Sequence, residues 1–241
     1  MSKFIDKIAN KLGYYKPVSD HYYTEQNGKG YVVDYNKFKE NHKFNYDEVK
    51  EATKHLLYAM GEDIKRPGLL DTPRRVAGYW QELLEGEQYT NKEIAKMNDK
   101  CFVVPSDSLV VLKVGHIFST CEHHLALMYN GEAYIAYIPK KVNGGYKVIG
   151  LSKIPRIVNL CAKRLQLQEK IASDIAECIS LVTESEEIYV QLIMNHGCVS
   201  ARGAKSVSCT DVTHLSEKLK KNKSAREEIE MKIALHHYRE I

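Results

Sequence analysis

Cys121, His123 and His124 stand together in the run Ser119-Thr120-Cys121-Glu122-His123-His124, and far along the chain His196-Gly197-Cys198 answers them. If these residues act together, two distant segments must converge, which limits the folds open to the chain. Thiolates and imidazoles are zinc-type ligands, and two thiolates with one imidazole fall one short of a closed tetrahedron. That shortfall is the pattern of a catalytic metal that keeps a position for water. Spacing alone leaves open a structural site completed by a fourth ligand.

Cys121 and His124 are three residues apart, so one turn of chain can aim both at a single ion. Cys198 must arrive from elsewhere. The run Ile188-Tyr189-Val190-Gln191-Leu192-Ile193-Met194-Asn195-His196 is apolar and β-branched, and it predicts a buried strand. If that strand continues, His196 and Cys198 point to the same face, one as ligand and the other beside the metal. His123 would then be available for proton transfer. Cys101, Cys161, Cys178 and Cys209 read as packing residues, Cys161 and Cys178 within helical patterns.

With 241 residues the chain can bury a substantial core. It contains no apolar run long enough to span a bilayer and no secretory leader pattern, and its six cysteines lack framework spacing. The expectation is a cytoplasmic protein with no membrane partner. A formal charge of +4 does not argue for nucleic acid.

Periodicity divides the chain into an N-terminal extension over residues 1–45, a helical region over 46–107 and a mixed strand and helix region over 108–241, which holds the Cys/His set and is read as the catalytic domain. Phe4, Ile5, Ile8, Ala9 and Leu12 make a short amphipathic helix. Further helices are predicted over 47–60, from Thr72 as cap with Pro73 at the first helical position, and over 91–97. Strands follow at 109–114, 125–129 and 132–138, the last two flanking Asn130-Gly131, a hairpin signal. A strand over 146–149, helices over 152–164 and 166–181, strands over 188–196 and 206–213, and a helix over 225–237 complete the pattern.

Lys153 and Arg156 lie in the first turn of the helix at Ser152, where cations oppose the helix dipole. Ser152 reads either as a simple cap or, with those cations and the open N–H groups, as part of a phosphate cradle. Arg75 and Arg202 are further cationic candidates. Gln168-Glu169 could offer a carboxylate to a base bearing adjacent N–H donors.

Gly68-Leu69-Leu70-Asp71-Thr72-Pro73-Arg74-Arg75-Val76-Ala77, Ser119 to His124, Ala136-Tyr137-Ile138-Pro139, Gly150-Leu151-Ser152-Lys153-Ile154, Gln168-Glu169 and His196-Gly197-Cys198-Val199-Ser200-Ala201-Arg202-Gly203 occur in that order. Over about residues 47–241 the chain resembles the zinc-dependent GTP cyclohydrolase I family. The resemblance implies an α+β tunnelling fold, in which an antiparallel sheet carries paired helices on one face behind N-terminal helices. It also implies a homo-oligomer, commonly a decamer of two pentamers, with active sites between subunits. Zn2+ would sit on Cys121, His124 and Cys198. GTP would meet Glu169 and Gln168 through its guanine, and Arg75, Ser152, Lys153, Arg156 and Arg202 through its triphosphate. The implied reaction hydrolyses and rearranges GTP to 7,8-dihydroneopterin triphosphate with release of formate, His196 protonating N7 and His123 and Ser152 assisting at the ribose.

The chain departs from the family pattern at Gly78, where a lysine is common, at Leu165, and over 213–223, where a Lys-rich stretch replaces the usual strand and loop. Two other readings are a nitrile reductase of the deazapurine pathway on the same type of fold, and a noncatalytic zinc-stabilised module binding a nucleotide or RNA. The complete Cys121/His124/Cys198 set argues against the reductase, which would use a cysteine nucleophile.

Overall fold

The computed structural model describes residues 16–18, 30–32 and 43–239, so the amphipathic helix expected over 4–12 lies outside the described residues. Strands β1 (Lys16–Val18) and β2 (Gly30–Val32) pair antiparallel. Helix α1 (Tyr46–Ala59) begins at Asn45, whose side chain accepts a hydrogen bond from Glu48 N. Helix α2 (Thr72–Leu83) starts one residue earlier than expected, with Asp71 at the cap position. The Asp71 carboxylate makes no cap bond, because it holds the guanidinium groups of Arg74 and Arg75 instead. Helix α3 (Asn91–Met97) opens on a capping box between Thr90 and Glu93.

The remaining strands are β3 (Cys101–Val104), β4 (Val110–Cys121), β5 (Ala126–Tyr137), β6 (Lys140–Val142), β7 (Gly145–Ile149), β8 (Leu165–Gln166), β9 (Ile188–His196) and β10 (Cys209–Leu215). They form a five-stranded sheet in the order β10-β9-β5-β4-β8 and a three-stranded sheet in the order β3-β7-β6. Only the short β4–β8 pairing is parallel among the described strands of these two sheets. Helices α4 (Lys153–Ala162) and α5 (Gln168–Thr183) cover one face of the larger sheet, as the tunnelling-fold expectation requires. After β9 come the single helical turn α6 (Gly197–Ser200) and, beyond β10, α7 (Glu217–Lys221) and α8 (Lys223–Arg239). Leu219, Ile229 and Ile233 from the last two pack on Tyr134, Ala136 and Tyr189, on the opposite face.

Strand β5 therefore has apolar contacts on both sides. Ala133, Ile135 and Tyr137 join the core under α4 and α5, whereas Tyr134 and Ala136 join the cluster under α7 and α8. This alternation follows from the two-residue period of a strand, and burial on both faces explains the unbroken apolar run over 133–137.

The expected hairpin at Asn130-Gly131 is not a turn. Strand β5 runs straight through it, and the connection between β4 and β5 is the turn over 122–125. Asn130 does take the left-handed backbone that made the pair look like a turn, but as part of a bulge facing a second irregularity at His116 in β4. Gly131 is needed there, since a Cβ would meet Ile117 O at 2.6 Å. On β4 the residues facing the α4/α5 core are Val110, Leu112 and Val114 before the bulge, then Ile117 and Cys121 after it. The bulge thus moves the inward set from even to odd positions.

Arg164, between α4 and β8, is buried and fully engaged. Its Nε donates to Gly86 O at 3.1 Å, its Nη2 to Tyr89 O at 2.8 Å, and its Nη1 to Asn91 Oδ1 at 2.8 Å and Asp174 Oδ2 at 2.7 Å. One side chain so joins the segment ahead of α3, the start of α3 and the middle of α5. Asn91 also donates to Asp174 Oδ1 and Glu177 Oε2. As expected, Cys161 and Cys178 fill the space between α4 and α5, with their sulfurs 3.7 Å apart.

Removing one partner of a buried ion pair leaves the other charge desolvated, at a cost of about 3–5 kcal/mol. Arg164→Met is expected to lower the urea stability of the protein by that amount. On the surface, the ammonium groups of Lys147 and Lys140 hold the Glu184 carboxyl down from its ordinary 4.5 to about 2. Their contribution is complete above pH 4.5 and disappears as pH falls through about 2. Acid titration of stability should show this component in the parent and lose it in Glu184→Gln.

Candidate active site and metal centre

The parity change in β4 brings Cys121 to the α4/α5 side, where the last inward residue of β9 meets it. Ile188, Val190, Leu192 and Met194 all face that core, and His196 follows them by the same alternation. In the ladder His196 lies opposite Met128, and Cys121 opposite Ala126. The strand does not continue to Cys198, as the sequence suggested; after His196 the chain enters α6. Gly197 permits this bend close to β5, since a Cβ there would stand 3.0 Å from Leu127 O. Ser200 Oγ donates to His196 O at 3.1 Å and lies 3.2 Å from Tyr129 OH, fixing the turn. Cys198 thus reaches Cys121 by a helical turn.

The ligand atoms of Cys121, His196 and Cys198 all lie within 4.8 Å of one another. His123 and His124 occupy the exposed 122–125 turn next to Cys121, their rings edge-to-face with centroids 6.4 Å apart. The imidazole that accompanies the two sulfurs in this structure is therefore that of His196, whereas the family resemblance gives the third ligand position to His124. Burial raises the proton affinity of the Cys198 thiol, and the nearby Cys121 adds to the effect. Two adjacent sulfurs beside an imidazole are a donor set that a thiophilic dication would hold deprotonated.

His196 is half-buried, and its Nε2 lies 2.7 Å from Gln168 Oε1. Burial lowers its pKa below the ordinary 6.5, with the Glu169 carboxylate opposing. Gln168 is 2% exposed, and its amide also donates to Leu192 O at 2.6 Å and Thr210 O at 3.0 Å. This differs from the expected contact with a base: every polar atom of that side chain is committed inside the protein. Glu169, the next residue, is exposed beside the site. Arg202 is exposed and near enough to Cys198 to favour its thiolate.

Ser152, Lys153 and Arg156 sit on the first turn of α4, and the Ser152 hydroxyl makes no cap bond there. Among the described residues no carboxylate pairs with Lys153, Arg156 or Arg202, whereas Arg75 pairs with Asp71 at 3.0 Å. Among the described residues no hydrogen bond or ion pair joins the side chains of Arg75, Ser152, Lys153 or Arg156 to Cys121, His196 or Cys198. Sequence reasoning missed the Arg164 network and the bond from Gln168 to His196. Neither leaves a motif, because each depends on backbone carbonyls brought together by the fold.

A sheet with paired helices, carrying at the end of its central strands a sulfur–imidazole cluster that could hold a metal ion, with Arg202 beside it, marks this as the candidate active site of an enzyme. The profile described as GTP cyclohydrolase I matches residues 49–234. The chain belongs to the GTP cyclohydrolase I family and is an enzyme of that family. It is 45% identical over 171 residues to GTP cyclohydrolase 1 of Clostridium botulinum (strain Langeland), covering 68% of this chain and 85% of the relative. The Clostridium beijerinckii GTP cyclohydrolase 1 is 40% identical over 193 residues, covering 77% and 95% respectively. Among solved structures, the apo archaeosine synthase QueF-Like aligns with a TM-score of 0.35 at 22% identity, over 46% of this chain and 95% of that one.

Cys121→Ser and Cys198→Ser should each abolish stoichiometric metal binding, whereas Cys161→Ser and Cys178→Ser should retain it. Metal content of the purified proteins, measured by plasma mass spectrometry, checks this.

Proposed function

We propose that the protein converts GTP and water to 7,8-dihydroneopterin triphosphate and formate, using Zn2+ held by Cys121, His124 and Cys198. The observation that carries this reading is the meeting of Cys121 with His196 and Cys198 in a chain of the GTP cyclohydrolase I family. His124 is given the ligand place because it matches the family motif three residues past Cys121. His124 must turn inward from the 122–125 turn to reach the sulfurs. Zinc with two thiolates and one imidazole supplies an open coordination position and a Lewis acid that makes water nucleophilic near neutral pH.

The protein's own groups do the rest. Glu169 accepts hydrogen bonds from guanine N1–H and its 2-amino group, which selects guanine over adenine. Arg75, Lys153, Arg156 and Arg202 neutralise the triphosphate, and the N–H groups at the start of α4 add the favourable end of its dipole. His196 delivers a proton to N7 while water adds at C8, so that the imidazole ring opens to a formamide. A second water cleaves the formamide to formate. His123 and Ser152 move protons during ribose opening and during ring closure, in which the freed amine condenses with the ribose-derived carbonyl and expels one water.

The resemblance to the GTP cyclohydrolase I family supports an active site shared between subunits of a homo-oligomer. Strand β10 and the part of β4 preceding its β8 contact form the rims available for such pairing. Six unpaired thiols suit a reducing, cytoplasmic setting.

Zinc-loaded protein incubated with GTP should release formate and the pterin in equal amounts, read by formate dehydrogenase coupling and by fluorescence after oxidation. GTP consumption without either product would defeat the proposal. His196→Ala should keep zinc and lose turnover by about 10²–10⁴-fold, the range of a general acid. His124→Ala should lose zinc. The reverse pattern of metal loss would transfer the ligand role to His196.

A further inference from the structure

Gln168 opens α5 and is 2% exposed, so none of its polar atoms can rely on bulk water. Its Nε2 donates to Leu192 O on β9 at 2.6 Å and to Thr210 O on β10 at 3.0 Å. A primary amide has two N–H donors, and both are matched here by oxygens that can only accept. The reversed amide would press its own carbonyl oxygen against two others, so the orientation of this side chain is unique.

Oε1 is therefore the atom facing His196 Nε2 at 2.7 Å, and it carries no proton. The proton between them must belong to the imidazole. We infer that Gln168 is a positioning residue that locks His196 with its proton on Nε2, leaving Nδ1 as the ring's one lone pair. The carbonyl of His196 is held as well, by Ser200 Oγ, so ring and backbone are both fixed from outside the cluster. Resting on the proposed role of His196, this makes Nδ1 the atom that carries the transferred proton. If His196 ligates metal instead, it does so through Nδ1. Gln168 acts from behind the ring and leaves recognition of the base to Glu169.

The test is magic-angle-spinning 15N spectroscopy of zinc-loaded protein labelled at histidine, at mildly alkaline pH, with His196→Gln identifying the His196 signals by their loss. The parent should show a protonated Nε2 and an unprotonated Nδ1 at His196. A protonated Nδ1, or a mixture of tautomers, would overturn the inference and requires no Gln168 variant to fold. Gln168→Leu should give mixed tautomers and lower kcat by roughly 10–100-fold, as loss of an orienting partner does, with KM for GTP little changed. An unchanged tautomer in Gln168→Leu, or a loss confined to KM, would contradict a positioning role. The locked tautomer in a protein that yields neither formate nor pterin would count against the proposed reaction and leave the lock standing.

Discussion

The site depends on a break in parity. Along an unbroken strand, side chains at even and odd positions face opposite ways, and Val110, Leu112 and Val114 assign the even face of β4 to the core. Without the paired irregularities at His116 and Asn130, Cys121 would inherit the outward face, and its sulfur could not approach Cys198. The left-handed backbone at those two residues and the bare Cα of Gly131 are what the chain gives up for this change of face. Strand β9 has no such break over 188–194, so His196 arrives on the inward side by simple alternation.

Two polar fixtures hold the surroundings in place. Arg164 ties the N-terminal helical segments to α5 and is followed directly by β8, whose Gln166 pairs with Cys121. Gln168, two residues further on, reaches β9 and β10 from the start of α5. The segment 164–168 therefore anchors both strands that bear the sulfur–imidazole cluster. Being mostly buried, these polar groups are matched almost completely, as low-dielectric surroundings demand.

Much of this was legible in the sequence. Strand β9 lies over 188–196 as read, since a run so rich in apolar and β-branched residues fits a largely buried strand, and α3 lies over 91–97 as read, its start closed by a capping box between Thr90 and Glu93. The convergence of Cys121 with His196-Gly197-Cys198 was visible as spacing. The bulge was not. Asn-Gly favours left-handed backbone equally in a turn and in a bulge, and only the partner strand decides which forms. Strand β3 was missed as well, because four residues paired at the end of a helical region carry too little periodicity to read. For Gln168 the residue type suggested hydrogen bonding to a base, but its depth, which the sequence does not disclose, assigned those bonds to backbone carbonyls and an imidazole.

The double covering of β5 has an architectural consequence. With α4 and α5 above Ile135 and the C-terminal helices below Tyr134, this part of the sheet has no bare face on which another layer could stack. Growth of the sheet is confined to its rims, strand beside strand. A strand added at a rim would continue the sheet's inherent twist rather than open a new layer.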